Sequence, residues 1–195
     1  MQLVVRAEDP VTSTADLEGR PVSLGAVGSG AAVFGDRLLA AAGIAADVTH
    51  RPLRDAVAAL ESGTADALLW SGGVPTPALA ELAARRPVRL LPLVEHLPRL
   101  RSEHGGVYGP VTVPADAYGP AAPVPTVGVA NLLVCTPALP PATAGVVART
   151  LVAAAPDLVP ASALGTQYLD QRSLIGTGEI PLHPGAVAAY REMHG

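Results

Sequence analysis

The chain has 195 residues, enough for one large domain or two small lobes, and 49% of them are hydrophobic, so a sizeable core can form. Charged residues make up only 15% and the formal net charge is -4, which argues against the basic face of a nucleic-acid binder. No apolar stretch is long enough to span a membrane, and Met1–Arg6 lacks the length and cleavage pattern of a signal peptide.

Leu3 to Val5 predicts a short strand, followed by the turn-rich link Asp9–Thr14. Ser13 or Thr14 can cap the helical turn Ala15–Glu18, whose Asp16 and Glu18 suit the positive end of a helix dipole. A regular alternation follows. Val22–Leu24 is a strand. Ser29–Ala42 is a helix with Val33, Leu38, Leu39 and Ala42 expected on its inner face and Gly43 as its stop. Asp47–His50 is a strand, and Arg54–Ser62 a helix with Ala56, Val57 and Leu60 inward. Ala67–Trp70 is wholly apolar and so belongs at the centre of a sheet. Pro77–Arg86 is a helix opening on a tolerated proline, and Val88–Leu93 a further strand. Such alternation predicts parallel βαβ units, with the sheet covered on both faces.

Near residues 92–94 the character changes. Prolines 98, 110, 114, 120, 123 and 125 break up a stretch in which few long helices are expected. Thr126–Thr136 reads as one long strand, Pro141–Ala155 as a helix, and Ala186–Met193 as a final helix after Pro184. Cys135, the only cysteine, follows the apolar run Val127–Val134 and is expected to be a buried structural thiol.

The sharpest local motif is Gly25-Ala26-Val27-Gly28-Ser29-Gly30-Ala31, between a strand and a helix. Free N–H groups at a helix start attract an anion, and glycines let a ligand approach the backbone closely. The motif lacks a P-loop lysine and dinucleotide spacing, so a small carboxylate suits it better than a triphosphate. A tight turn with a serine cap and no ligand has the same sequence. A second loop, Trp70-Ser71-Gly72-Gly73-Val74-Pro75-Thr76, leaves the end of the buried strand, where open α/β sheets gather ligands; a small-residue linker reads alike. Tyr108, Tyr118 and Thr126 suit either a wet-sided pocket or the edge of the core. The five histidines form no metal-type pair, and His183, before Pro184-Gly185, suits a helix cap better than catalysis.

The run Ala15–Gly30 resembles the "DLKGKRVSVGAPGSGT" segment of TAXI-type receptors, the solute-binding proteins associated with TRAP transporters. Further landmarks follow in order. Asp55–Ala67 is similar to the family's "AxALkdGkiDA", Ser71–Thr76 to its "TAGxPt" loop, and Val124–Val129 to its "vpTvav" strand. Ile180–Ala186 is similar to its "iPlHPGAxxYy" ending, with Tyr190 near the matching place. The likeness runs from about residue 1 to the C-terminus.

The resemblance implies an α/β fold of the type II periplasmic-binding class, two lobes closing on a small acid such as a dicarboxylate or a glutamate-like amino acid. It implies an extracytoplasmic location, docking on TRAP-type membrane permease subunits, no cofactor and no catalysis. It carries ligand binding onto Gly28, Ser29, Gly30 and Ala31 (the last where the family often has threonine) and onto Ser71, Gly72 and Gly73. Tyr118 and Thr126 complete the candidate set. Residues 1–13 are then a hinge strand and link, 14–92 a complete βαβ lobe, and 93–195 the return crossing with the C-terminal part of the other lobe. Relatives begin with a signal sequence and a Gly-rich front that this sequence does not show, so weak or absent binding is expected of these residues alone. Two alternatives remain at this stage: a cytoplasmic enzyme or sensor domain on the same fold, and a remnant that folds but binds nothing.

Overall fold

The computed structural model describes residues 1–119, 121–158 and 169–194, which form two compact units, Met1–Val129 and Ala130–Gly195.

Unit 1 is built on a five-stranded sheet. Its elements are β1 (Gln2–Arg6), a 3-10 turn (Thr14–Leu17), β2 (Pro21–Ser23), α1 (Gly30–Ala42), β3 (Asp47–Thr49), α2 (Leu53–Ser62), β4 (Ala67–Trp70), α3 (Pro77–Arg85) and β5 (Val88–Leu91). A second 3-10 turn (Val94–His96) leads into α4 (Leu97–His104) and the hairpin of β6 (Tyr108–Val113) and β7 (Val124–Val129). The strand order is β3-β2-β4-β1-β5. β2 runs parallel to both β3 and β4, as the alternation predicts. β1 runs antiparallel to β4 and β5, so the sheet is mixed and not all-parallel. A short apolar strand carries no mark of its direction, and no helical crossover ties β1 to a parallel neighbour.

Each face of the sheet has its own core. On one face Leu3, Val5, Val22, Leu69 and Leu91 meet Phe34 and Leu38 of α1 and Leu97 and Leu100 of α4. On the other, Val4 and Leu68 meet Ala56, Val57 and Leu60 of α2 and Leu79 and Leu82 of α3. Full burial of one such side chain is worth about 1.5–3 kcal/mol. The inner face of α1 is Phe34, Leu38 and Ala41, whereas Val33 faces outward at 46% exposure. In so alanine-rich a helix two apolar stripes compete, and the one carrying Phe34 buries more area. At the far end of β1, Arg6 is buried, donating to the carbonyls of Leu60 (2.7 Å) and Ala65 (2.8 Å) and to Asp66 (2.9 Å). Its charge is therefore paired and satisfied.

Unit 1 extends past the shift at residues 92–94. The amide of Leu93 donates to the carbonyl of Pro125 (3.1 Å), and α4 is a helix that the prolines obscured, because Pro98 lies in its first turn.

Unit 2 holds α5 (Pro141–Ala153), α6 (Ala155–Leu158), α7 (Gln171–Leu174) and α8 (Pro184–His194). α5 and α8 pack closely where a side chain on Gly145 would come within 3.2 Å of the carbonyl oxygen of Gly185. The His183 Nδ1 accepts the amide of Gly185 (3.1 Å), which makes it the cap of α8. The expected strand Thr126–Thr136 stops at Val129, and residues 131–136 are exposed. Cys135 is correspondingly exposed and not buried, because its apolar run pairs with no strand among the described residues. No described helix is long and apolar enough to cross a membrane.

Candidate functional site

β2 and β4 are parallel neighbours with Ser23 opposite Leu68, so the glycine loops that follow them leave the sheet at one rim. β3 exits at the same rim. Its ladder runs one step further, with the Leu24 amide donating to Thr49 carbonyl (3.0 Å), so His50 and Arg51 leave beside Leu24 and Gly25.

At the first loop Ser29 is the N-cap of α1, and its Oγ accepts the amide of Ala32 at 3.1 Å. That satisfies one orphan donor of the first turn. The amides of Gly30 and Ala31 have no hydrogen-bond partner among the described residues. Gly25 shapes this turn. Its φ is +82°, and a Cβ there would lie 2.8 Å from the Cβ of Ala31 and 3.0 Å from Ser29 Oγ. Only glycine lets the loop fold so closely over the helix start. Ala31 is buried against Gly25, so it offers the rim its amide and not its side chain.

The second loop contains a cis peptide at Val74–Pro75, and Ser71, Gly72 and Gly73 are exposed. A Cβ at Gly72 would lie 2.5 Å from Trp70 Nε1, so the loop rests directly on the indole edge. Beneath it is Gln2, fully buried at the start of β1 opposite Trp70. Tyr118 is also buried. Its hydroxyl donates to Gln2 Oε1 and accepts the amide of Thr76 at 2.8 Å. Burial raises the phenol pKa above its usual 10.0, against the opposing effect of the Thr76 hydrogen bonds, so the group keeps its proton. Thr126 is buried and donates to the Met1 carbonyl at 2.7 Å, which anchors the start of β1.

All nine residues singled out in the sequence therefore lie at one end of unit 1. Gly28, Gly30 and residues 71–73 form its exposed rim, Ser29 is half-buried and Ala31 buried at the helix start, and Tyr118 and Thr126 lie below, their hydroxyls engaged with the protein. Two residues escaped the sequence reading. Gln2 looked like one position of a strand, and its loop partners lie about 70 residues away. Arg51 lies in the short link between β3 and α2, which carries no motif. Most arginines of unit 1 are committed: Arg6, Arg20, Arg85, Arg86 and Arg99 to carboxylates, Arg37, Arg89 and Arg101 to tyrosine or carbonyl oxygens. Arg51 has no such partner among the described residues. Loops 24–29 and 71–76 carry no acidic side chain. The rim thus presents backbone donors, an arrangement that attracts anions, and the chain leaves β3 toward Arg51 on the same side. No cluster of three His, Cys, Asp or Glu side chains among the described residues could hold a metal.

Solved structures similar to this chain are solute-binding proteins. The periplasmic aliphatic sulphonate binding protein SsuA from Escherichia coli is 23% identical, over 53% of this chain and 38% of its own, with a TM-score of 0.41. The alkanesulfonate-binding protein SsuA from Xanthomonas axonopodis pv. citri, bound to MOPS, is 16% identical over 97% of this chain and 54% of its own, with a TM-score of 0.46. The GluR0 ligand-binding core from Nostoc punctiforme, in complex with (L)-glutamate, is 22% identical over 53% and 55%, with a TM-score of 0.33. The chain spans about half or less of the length of these structures. Its own strand order, with antiparallel β1 between β4 and β5, makes unit 1 an α/β lobe of the type II periplasmic-binding class. The sequence pattern of the NMT1-like family matches residues 1–193, and the chain belongs to that family.

Proposed function

We propose that this chain is the ligand-binding portion of an extracytoplasmic solute receptor of the TAXI type, which holds a small carboxylate at the rim of unit 1 and serves a TRAP-type permease. It is a binding protein and not an enzyme. The observation that carries this reading is the shared rim: two glycine loops leave adjacent parallel strands, and the amides of Gly30 and Ala31 remain unpaired at a helix start. A carboxylate accepting these N–H groups gains charge-assisted hydrogen bonds and the favourable end of the α1 dipole. Arg51, leaving β3 beside Gly25, supplies the positive charge that makes an acid preferable to its amide. Membership of the NMT1-like family and the ordered TAXI-like motifs support the reading.

The test is a titration of the chain with L-glutamate and succinate, and with glutamine as the uncharged-side-chain control, followed by amide NMR up to millimolar concentrations. The acids are expected to shift the amides of Gly30 and Ala31. Arg51→Gln is expected to weaken acid binding about tenfold, the cost of one charge-assisted contact. Acid-induced shifts confined to residues away from this rim would refute the proposal.

A further inference from the structure

We propose that Gln2 and Tyr118 are positioning residues that aim the amides of the 71–76 loop at the ligand, an inference that rests on the receptor reading above. Gln2 Nε2 donates to the carbonyls of Gly72 (3.2 Å) and Gly73 (3.4 Å) and reaches Thr76 Oγ1 at 3.5 Å. Thr76 Oγ1 donates to the same Gly73 carbonyl at 2.7 Å. Tyr118 completes the latch: its hydroxyl donates to Gln2 Oε1, which orients the carboxamide, and accepts the Thr76 amide.

The consequence follows from peptide geometry. In a trans peptide the carbonyl and the following N–H point in opposite directions. The peptides 72–73 and 73–74 are trans, and both carbonyls are drawn inward to Gln2. The amides of Gly73 and Val74 are therefore turned away from Gln2, to the exposed side of the loop. Neither has a hydrogen-bond partner among the described residues. The loop presents donors at the rim because a buried side chain holds its acceptors down. Without the Gln2 amide group, the Gly72 carbonyl loses its inward donor and the Gly73 carbonyl keeps only the Thr76 hydroxyl. A rotated peptide would then present an oxygen to the rim and repel an anion. The absence of a side chain at Gly72 lets the loop lie low enough over Trp70 for Gln2 to reach it.

The experiment follows amide resonances and melting temperature while L-glutamate, succinate or inorganic sulfate is added to the wild-type chain, Gln2→Met and Tyr118→Phe. In the wild type, an anion is expected to shift Gly73 and Val74 together with Gly30 and Ala31. Gln2→Met is expected to weaken binding at least tenfold, and Tyr118→Phe three- to tenfold, in protein that is still folded. A purely structural role would lower the melting temperature and leave the affinity of the folded protein unchanged. Shifts at Gly30 and Ala31 with Gly73 and Val74 unmoved, or variants of wild-type affinity, would overturn the latch and leave the receptor reading standing. No shift at either loop with any of the three anions would overturn both. Should Gln2→Met fail to fold, the wild-type shift pattern and Tyr118→Phe decide the matter.

Discussion

In unit 1 most large apolar side chains point inward, with a few valines such as Val27 and Val33 outside, and leucines of the sheet are sealed on both faces by four helices. In unit 2 the cluster of buried residues is Ala148, Ala189 and Tyr190, while Leu133 and Val134 are 75% and 67% exposed and Val146 on α5 faces outward. Both units come from the same alanine-rich composition. The difference teaches that a periodic apolar pattern yields a core only where a second surface exists to receive it. Unit 1 supplies both surfaces itself, whereas most large apolar groups of α5 and the preceding segment are exposed.

The largest effect that should separate the two is a core truncation. Leu68→Ala, at a site without solvent exposure, is expected to cost about 2–5 kcal/mol through lost contacts and the cavity left behind. Leu182→Ala in unit 2 should leave the main denaturant transition unshifted. If the two variants destabilise equally, the contrast between the units is false. Gly25→Val comes next. It forces a branched residue to φ +82° and drives its Cβ against Ala31, so a loss of about 1–3 kcal/mol is expected in urea titrations.

A smaller effect depends on pH. Burial lowers the pKa of His96 below 6.5, outweighing the attraction of Glu95, and Thr14 Oγ1 lies 2.7 Å from its Nε2. The unfolded chain therefore takes up this proton more readily. The contribution of His96 is complete above pH 6.5 and is lost as the pH falls below it. His96→Gln should flatten the dependence of the urea midpoint on pH between 7.5 and 5.5; an unchanged slope would remove His96 from the account. The smallest perturbation is chemical: a thiol reagent should label Cys135 in the native chain without unfolding it. Protection of that thiol would mean that unit 2 is better covered than described.

Much of unit 1 was legible in the sequence because its signals are local. Gly43 stops α1 and apolar β4 lies at the centre of the sheet, as read from the residues, and of the two roles open to Ser29 the structure shows the helix cap. What escaped depends on distant partners. The direction of β1 is set by β4 and β5, and the role of Gln2 by loops that no local window contains. α4 was hidden by a proline that its first turn accommodates, and the run at 131–136 looked like a strand because apolar sequence cannot announce whether a neighbour exists. The rim was found from its glycines. Its unpaired cation was not, since an arginine in a turn looks the same whether or not a carboxylate waits for it.

The position of β1 inside the sheet carries a consequence for how the chain comes to be folded. β1 lies between β4 and β5, with Leu3 paired to both Leu69 and Leu91. During synthesis this segment is made before the two strands that flank it, and its slot does not exist until some ninety residues have followed it. Closing loops of that span is slow compared with local helix formation, which leaves Leu3, Val4 and Val5 uncovered in the meantime. Unit 1 therefore has a vulnerable interval in the cell, during which Leu3, Val4 and Val5 offer an apolar target to chaperones that hold nascent chains.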